Sequence, residues 1–369
     1  MHPQLFFQIA RHSGTAASII GTTRLNARTS LSPRAHPIHL VIAALTLLAC
    51  NVLAASEPIR PGELWLDNRA QHVQAHGGGI IKERDTYFWF GEDRSKDNDR
   101  SKRHVACYSS TDLVHWTFRN QVLRLADPEN FGPRWLLERP KVFYNKMTKK
   151  FVMYMHIDGP ANAGDAGNAY VLARVGVATC DTVDGDYTYI RSFRPLGKES
   201  RDIGQFIDDD GSAYLIFECR PTKGFYIAKL SADYLDVEKE VSFIRSPLEG
   251  GALVHHDGLY YVIGSLMTGW KANPNQYATA LKLEGPWSEF KDIAPPETNT
   301  YGSQSTLMLQ VVGSKQTTVI FMGDIWKPYS QWDSRYLWMP LEIGGGKLRL
   351  PEPREWSLDV YTGEALIAR

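Results

Sequence analysis

Five polar residues open five similar stretches of the sequence, each of which continues with an apolar segment, a turn and an aromatic segment. They are His76, Glu138, Asp202, Glu249 and Gln304. Three of them are carboxylic acids, and carboxylates that lie close together push their pKa values apart, which can leave one protonated at neutral pH. A protonated acid with a second group that activates water is what hydrolysis of a glycosidic bond requires. The sequence therefore indicates hydrolytic acid–base chemistry at these openings.

The five stretches recur at intervals of about 45 to 65 residues, as the blades of a β-propeller do. Short-hairpin signals, Asp209-Asp-Gly211 and His256-Asp-Gly258, lie between β-rich apolar runs. We therefore predict an all-β fold, a five-bladed β-propeller with four short strands per blade and with the five opening residues converging at one end of the channel. A β-sandwich is the alternative, but it gives no reason for five equivalent openings.

The composition narrows the possible partners. Lys plus Arg and Asp plus Glu both count 41, so nucleic acid and anionic membranes are not expected as partners. Ten Trp and seventeen Tyr supply bulk for strands and flat faces on which sugar rings can stack. Trp270 and Trp326 follow strands of the fourth and fifth units, where we expect them to form a stacking wall. Most other Trp residues are expected in the core.

Residues 1–55 differ from the rest of the chain. Arginines precede an apolar run at 40–50, and small residues follow it, a pattern typical of a signal peptide. We expect a secreted or periplasmic protein, monomeric and without membrane insertion after cleavage, with 56–369 as its catalytic domain. An uncleaved membrane anchor is the alternative, and Cys50 loosely fits a lipoprotein cleavage site. Cys107, Cys180 and Cys219 then allow at most one disulfide.

The motifs at the unit openings resemble glycoside hydrolase family 43 over about residues 60–345, and within that family the exo-β-1,3-galactanase branch. The segments that carry the resemblance are 74–80, 138–142, 200–202, 208–214, 267–270 with Glu249, and 303–306. The resemblance implies an inverting, exo-acting hydrolase that releases galactose from β-1,3-galactan, the backbone of arabinogalactan. No cofactor is implied, and no metal is expected, although some relatives hold a calcium ion on the channel axis through a histidine.

The resemblance also implies roles for the opening residues. Glu249 matches the general acid, and Asp202 the carboxylate that orients it and raises its pKa. The Asp base of the first blade is absent: His76-Gly-Gly-Gly79 stands there, which marks the galactanase branch. In that branch a last-blade glutamine, here Gln304, is implicated in holding the attacking water. Glu138 matches a carboxylate that binds galactose hydroxyls and is the fallback base.

His76, Trp270 and Trp326 complete the predicted substrate-binding set. Each role has a structural alternative: an ion pair of Asp202 with Arg201 or of Glu138 with Arg139, an ion pair of Glu249 with an arginine, and, for Gln304, an amide that bonds a neighbouring blade.

Two rival functions stay open from the sequence. Gly250-Gly251 follows the acid where the branch more often has Ala-Pro, and this difference leaves the exact substrate open. A β-galactosidase, an α-L-arabinofuranosidase or a β-xylosidase of the same family differs in only a few hydroxyl contacts. The missing first-blade Asp also makes a noncatalytic carbohydrate-binding propeller an alternative.

Overall fold

The computed structural model describes residues 57–96, 104–124, 135–159 and 170–368. All of them belong to one unit, Ala54–Arg369. Residues 1–55 lie outside the described residues, so the signal peptide, anchor and lipoprotein readings of that segment stay predictions. Within the described ranges, no helix has both the length and the apolar character that crossing a membrane would require.

Five antiparallel sheets account for most of the regular structure of the described residues, and each sheet follows the order of its strands in the chain. The first two sheets are β1 (His76–Glu83), β2 (Thr86–Asp93), β3 (His104–Ser110), β4 (Thr117–Arg124), and β5 (Leu136–Asn145), β6 (Lys150–Asp158), β7 (Arg174–Cys180), β8 (Thr188–Phe193). The third and fourth are β9 (Ile203–Ile207), β10 (Ala213–Cys219), β11 (Gly224–Leu230), β12 (Val237–Arg245), and β13 (Leu248–His256), β14 (Leu259–Leu266), β15 (Asn275–Ala280), β16 (Lys291–Asp292). The fifth is β17 (Gln304–Val312), β18 (Thr317–Ile325), β19 (Arg335–Pro340).

Shorter elements complete the described part of the chain. Two hairpins near the C-terminus are β20 (Glu342–Gly344) with β21 (Lys347–Arg349), and β22 (Trp356–Leu358) with β23 (Ala365–Ile367). Single 3₁₀ turns occupy Pro195–Gly197, Pro296–Thr298, Thr300–Gly302 and Gln331–Asp333.

The innermost strands form a closed ring. β1 contacts β5, β5 contacts β9, β9 contacts β13, β13 contacts β17, and β17 contacts β1 again. The five sheets are therefore the blades of a five-bladed β-propeller, which confirms the predicted fold. Glu138, Glu249 and Gln304 lie within their innermost strands, and Asp202 immediately precedes β9.

The fifth blade departs from the expected four strands, because its sheet has three. The two ends of the described chain pack beside it instead. Ile59 pairs with Trp356 of β22, and the backbone N–H of Gly62 donates to the carbonyl oxygen of Tyr336 in β19. The C-terminal stretch ends in the β22–β23 hairpin.

The core lies between the blades. Separate hydrophobic clusters fill the contacts between blades 1 and 2, 2 and 3, and 3 and 4, and a larger cluster joins blades 4, 5 and 1. Four buried indoles stand in the large cluster, in line with the expectation that most Trp residues are in the core: Trp89, Trp116, Trp338 and Trp356. Their burial between blades stabilises the ring against opening.

A β-bulge follows the opening residue in blades 1, 2 and 4. The residue after the opening residue is left-handed in each case: Gly77 (φ 59°), Arg139 (φ 51°) and Gly250 (φ 64°). A bulge interrupts the alternation of the strand and redirects the side chain beside it. Left-handed backbone is costly for any residue other than glycine, so Arg139 holds a strained conformation that its contacts must offset.

Candidate active site

A cavity of about 210 Å³ lies at the end of the ring where the innermost strands begin. Six of the seven predicted site residues line it, and His76 does not. The lining residues are Glu92, Arg94, Glu138, Arg139, His156, Tyr170, Arg201, Asp202, Arg220, Glu249, Gly269, Trp270, Gln304 and Trp326.

Glu249 is the second residue of β13, and only 7% of its side chain is exposed. Arg220 Nη2 donates to its Oε2 at 3.2 Å, and Gln304 Nε2 donates to its Oε1 at 3.1 Å. Burial, followed by the charges of Asp202 and Glu218, raises the pKa of Glu249 to about 8 although two nearby arginines lower it. The carboxyl group is therefore mostly protonated at neutral pH, as a general acid must be.

Arg139 of blade 2 lines the cavity and contacts three other blades. Its Nε lies 2.9 Å from Asp202 Oδ2, its Nη2 donates to Gln304 Oε1 at 2.7 Å, and its Nη1 donates to the Ser305 carbonyl at 3.0 Å. Its backbone N–H donates to Glu92 Oε1 at 3.0 Å. These contacts offset the strain of its left-handed backbone.

Asp202 is fixed by partners other than its neighbour in sequence. Besides Arg139, the backbone N–H of Gly250 donates to Asp202 Oδ2 at 3.0 Å, which ties Asp202 to the bulge that carries Glu249. Arg201 instead reaches Asp158, with Nη1 3.3 Å from Oδ2. Neither of the ion pairs considered from adjacency in the sequence, Arg201 with Asp202 and Arg139 with Glu138, is formed.

Gln304 uses its whole amide group in contacts with the protein. Its Oε1 accepts from Arg139 and from Trp326 Nε1, and its Nε2 donates to Glu249 and to Ser265 Oγ. An amide offers two donors and two acceptor lone pairs, so none is left for a water molecule in this arrangement. Gln304 also lies 3.1 Å from Glu249, whereas the two groups of an inverting pair stand about 6.5–9.5 Å apart. As placed, Gln304 orients the acid.

Glu138 stands at the start of a buried Glu–His–Asp chain. Its Oε2 lies 3.1 Å from His156 Nδ1, and His156 Nε2 lies 3.1 Å from Asp158 Oδ2. The hydroxyl of Tyr170 donates to Glu138 Oε1 at 2.9 Å. Burial alone would raise the pKa of Glu138, but the hydrogen bond and charge of His156 outweigh it and lower that pKa to about 2. So low a pKa makes Glu138 a poor base, which argues against the fallback role.

His156 carries the positive charge in this Glu–His–Asp chain. Burial lowers its pKa, but its hydrogen bonds to Asp158 and Glu138 outweigh burial and raise that pKa to about 9. An imidazolium between two carboxylates therefore keeps Glu138 ionised. A fixed anion at the cavity wall accepts hydrogen bonds from hydroxyl groups.

Two indoles form one side of the cavity. Trp270 is 42% exposed, and its ring lies 5.2 Å from that of Trp326 at an interplanar angle of 82°. Trp270 thus offers an accessible ring face in the cavity wall, and its role in stacking a sugar stays a prediction.

The structure corrects the prediction for His76. Its side chain is fully buried, its Nδ1 lies 3.0 Å from Asp324 Oδ1, and its ring stacks on Tyr336 at 4.9 Å. The bulge after His76 directs the ring between blades 1 and 5, away from the cavity. His76 therefore supports the wall near Trp326, 5.4 Å away, and cannot contact a sugar in this arrangement.

Several site residues that the sequence analysis missed come from the second strand of a blade. They stand across the ladder from the opening residues: Glu92 opposite His76, His156 opposite Glu138, Ser265 opposite Glu249, and Asp324 opposite Gln304, while the backbone N–H of Glu218 donates to the Asp202 carbonyl. Part of this signal was available, because the two strands of a hairpin are symmetric about their turn. In blade 3, where no bulge follows the opening residue, this symmetry places Glu218 opposite Asp202. In the other four blades the register shifts by one residue beside the opening residue, so counting across the hairpin gives the neighbour of the actual partner.

Two groups of side chains in the described ranges bring three potential metal ligands within 4.8 Å: Asp202 with Glu218 and Glu249, and Asp208 with Asp209 and His255. In the first group Arg139 and Arg220 already pair with the carboxylates, which argues against a cation. The second group lies at the β9–β10 turn, where Asp208 closes the hairpin by accepting from Gly211. Cys107, Cys180 and Cys219 are free thiols.

Comparisons with known proteins agree with the site. The sequence profile described as Glycosyl hydrolases family 43 matches residues 79–326. An exo-β-1,3-galactanase from Phanerochaete chrysosporium, solved with β-1,3-galactotriose, is 38% identical with a TM-score of 0.77, covering 84% of this chain and 70% of that one. An exo-β-1,3-galactanase from Clostridium thermocellum is 34% identical with a TM-score of 0.76, covering 84% and 68%.

A putative exo-β-1,3-galactanase from Bifidobacterium bifidum is 33% identical with a TM-score of 0.71, covering 81% of this chain and 96% of that one. No curated protein matches the sequence. The family profile, the blade architecture and the buried acid lead to one conclusion: this chain is a glycoside hydrolase of family 43.

Proposed function

We propose that this protein is an exo-acting, inverting hydrolase that releases galactose from the non-reducing end of β-1,3-galactan. The observation that carries the proposal is Glu249, a buried carboxyl group with a pKa of about 8 in the wall of a cavity. The solved exo-β-1,3-galactanases to which the chain is similar support the choice of sugar and linkage.

The way the channel is filled beneath the site is compatible with exo action. Lys141 Nζ donates to the carbonyl oxygens of Gly77 and Gly78, and it is fully buried. Gln205 Nε2 donates to the Ile80 carbonyl, and Thr306 Oγ1 also donates to Gly78. Side chains from three blades thus bond to β1 across the axis. A cavity closed at its base is compatible with entry of a chain end, and the choice of exo action rests on the solved exo-β-1,3-galactanases to which the chain is similar.

Glu249 protonates the departing glycosidic oxygen, and Asp202 holds it in place through the Gly250 bulge. Glu138 accepts hydrogen bonds from hydroxyls of the terminal galactose, because it is ionised and lines the cavity. Trp270 and Trp326 supply the apolar face on which the sugar ring stacks.

Gln304 is the proposed holder of the attacking water, a role that requires its amide to move away from Glu249 when substrate binds, because as placed it lies 3.1 Å from the acid and all its hydrogen-bonding positions are occupied. Its amide oxygen accepts from both Arg139 and Trp326 before substrate enters. The low pKa of Glu138 disfavours the rival base.

The test is a time course of the purified full-length protein with β-1,3-galactotriose, followed by chromatography. Galactose and galactobiose should form first and in equal amounts, and Glu249→Gln should lose about 10²–10⁴-fold in rate with binding retained. Turnover of xylobiose or of an arabinofuranoside in place of galactotriose would favour a related specificity. Binding of galactotriose without any turnover would favour a noncatalytic propeller.

We also propose that residues 1–55 direct export, since a polysaccharide substrate is met outside the cell. N-terminal sequencing of the protein recovered from the medium or periplasm tests cleavage. Recovery of the uncleaved chain with membranes would support the anchor instead. Light scattering on the purified protein tests the expectation of a monomer.

A further inference from the structure

A third carboxylate stands behind the acid and has no place in the catalysis proposed above. Glu218 lies near the end of β10, is 1% exposed and does not line the cavity. Carboxylate oxygens of Asp202, Glu218 and Glu249 lie within 4.8 Å of one another. Glu218 is therefore close enough to act on the acid and too buried to contact a sugar.

Arg220 links Glu218 to the acid. Its Nε donates to Glu218 Oε1 at 2.8 Å, and its Nη2 donates to Glu249 Oε2 at 3.2 Å. Half of the Arg220 side chain is exposed in the cavity wall, whereas both carboxylates are buried. One guanidinium group thus serves two buried acids.

The charges in this cluster do not balance unless a proton is present. The charged groups that act most strongly on Glu249 are Asp202 and Glu218, which are acidic, and Arg139 and Arg220, which are basic. The charges of Glu92 and Asp324 also act on Arg139, and that of His156 acts on Glu218. Among the groups that act most strongly on Glu249, three carboxylates, its own included, stand against two guanidinium groups in a largely buried volume. Burial penalises an uncompensated charge strongly, so the cluster retains one proton.

The hydrogen bonds of Glu218 also indicate that the cluster retains one proton. Its Oε2 is buried without a hydrogen-bond partner among the described residues, and an ionised oxygen in that position is disfavoured. Burial first, and then the charge of Asp202, raise the pKa of Glu218. Glu218 and Glu249 therefore compete for the same proton, and the last proton to leave such a pair is held more tightly than either group alone would hold it.

We propose that Glu218, held by Arg220, is a positioning residue of the acid: its carboxylate and that of Glu249 share one proton, which keeps Glu249 protonated at neutral pH. The inference rests on the proposed role of Glu249. In turnover the shared proton leaves Glu249 Oε for the departing sugar oxygen as the bond from that oxygen to the anomeric carbon breaks and a water oxygen bonds to the same carbon. The proton that this water loses passes to solvent, and solvent returns one proton to the pair.

The test is the pH dependence of kcat/KM on β-1,3-galactotriose in Glu218→Gln, which keeps the shape of the side chain and removes its charge. The alkaline limb, where the acid ionises, should move to lower pH by about one unit, a tenfold change in the proton affinity of Glu249. Below the limb, kcat/KM should stay close to that of the wild type. Glu238→Gln, on the exposed side of β12 in the same blade, is the matched control and should leave the limb in place.

Arg220→Gln gives a second and opposite readout, because loss of the cation should move the limb to higher pH. ¹³C NMR of glutamate-labelled protein follows the Glu249 carboxyl directly, with its resonance identified by its absence in Glu249→Gln. This titration does not depend on turnover, so it tests the inference even if the wild-type protein does not hydrolyse galactotriose. Absence of hydrolysis would overturn only the proposed function. Unchanged titration of Glu249 in folded Glu218→Gln overturns the inference. If Glu218→Gln does not fold, the same titration in Glu218→Asp decides, because the shorter side chain withdraws the carboxylate from Arg220 and Glu249: a shift of the Glu249 titration supports the inference, and an unchanged titration overturns it.

Discussion

At the scale of single residues, the site works by holding two carboxyl groups in opposite protonation states. Glu249 is protonated because it is buried beside Asp202 and Glu218, and Glu138 is ionised because it contacts a cationic His156. In the mechanism proposed above, the same residue type therefore serves as a proton donor in one blade and as a fixed hydrogen-bond acceptor in another.

The first prediction concerns pH. The pKa of Glu249 is raised to about 8, so the acid is protonated below that pH and ionised above it. We expect kcat/KM for β-1,3-galactotriose to fall about tenfold per unit as pH rises beyond about 8. Steady-state kinetics across the neutral and alkaline range measure this, with circular dichroism to show that the fold persists. A profile that already falls near the ordinary glutamate pKa would contradict the assignment.

The second prediction concerns Glu138→Gln. It removes the anion that Tyr170 and His156 support, and a hydrogen bond to a charged group contributes about 1.5–3 kcal/mol. Galactose affinity should fall about 10- to 100-fold by calorimetry. Tyr170→Phe, which leaves the charge in place, should weaken binding less. Equal losses in the two variants would argue against an ionic role for Glu138.

At the scale of elements, β-bulges place the functional side chains. Gly250 has φ 64°, and a Cβ added there would lie 2.8 Å from the Ser305 carbonyl oxygen. The bulge N–H of Gly250 also holds Asp202. The left-handed backbone that glycine permits at position 250 therefore positions both Glu249 and Asp202.

Gly250→Ala should consequently lower both stability and activity. The left-handed backbone alone costs about 1–3 kcal/mol for a non-glycine residue, and the contact with Ser305 adds to it. A displacement of Glu249 by about 1 Å would lower kcat about 100-fold. Gly211→Ala is the matched control, since Gly211 has φ 81° in a turn with open space around it. It should lose stability by denaturant unfolding but retain activity, and equal loss of activity in both variants would contradict the account.

The opening strands could be predicted from the sequence because each combines a polar residue with an apolar run and a turn. Their hairpin partners were missed. Asp202 and Glu218 are equally far from Asp210 in the turn, so the register of the ladder alone would have paired them. Arg139 was beyond sequence reasoning, since its contacts with Asp202, Gln304 and Ser305 exist only once three blades meet around a left-handed residue.

At the scale of the whole molecule, the propeller is held closed by the large aromatic cluster between blades 4, 5 and 1. The three-stranded fifth blade depends on the chain ends that pack beside it. The sequence did not reveal this, because the pairing of Ile59 with Trp356 joins segments far apart in the chain.

Trp356→Ala should therefore destabilise the protein by about 3–5 kcal/mol, as large-to-small changes of buried aromatic residues do. Trp356 is buried, and its Nε1 donates to the Trp338 carbonyl at 2.8 Å. Trp270→Ala is the contrasting variant: with 42% of its surface exposed, it should change stability by less than about 0.5 kcal/mol while weakening substrate binding. Denaturant unfolding measures the loss of stability, and calorimetry measures the loss of substrate binding. A Trp356→Ala variant as stable as the wild type would contradict the role of the β22–β23 hairpin in holding the ring closed.

The central claim, inverting release of galactose with Glu249 as the acid, is tested most directly by proton NMR of freshly formed products. Wild-type protein mixed with β-1,3-galactotriose should release α-galactose first, with the β-anomer appearing only by later mutarotation, and Glu249→Gln should release almost none. Initial release of β-galactose would contradict the inverting mechanism. Undiminished release by Glu249→Gln would contradict the assignment of the acid.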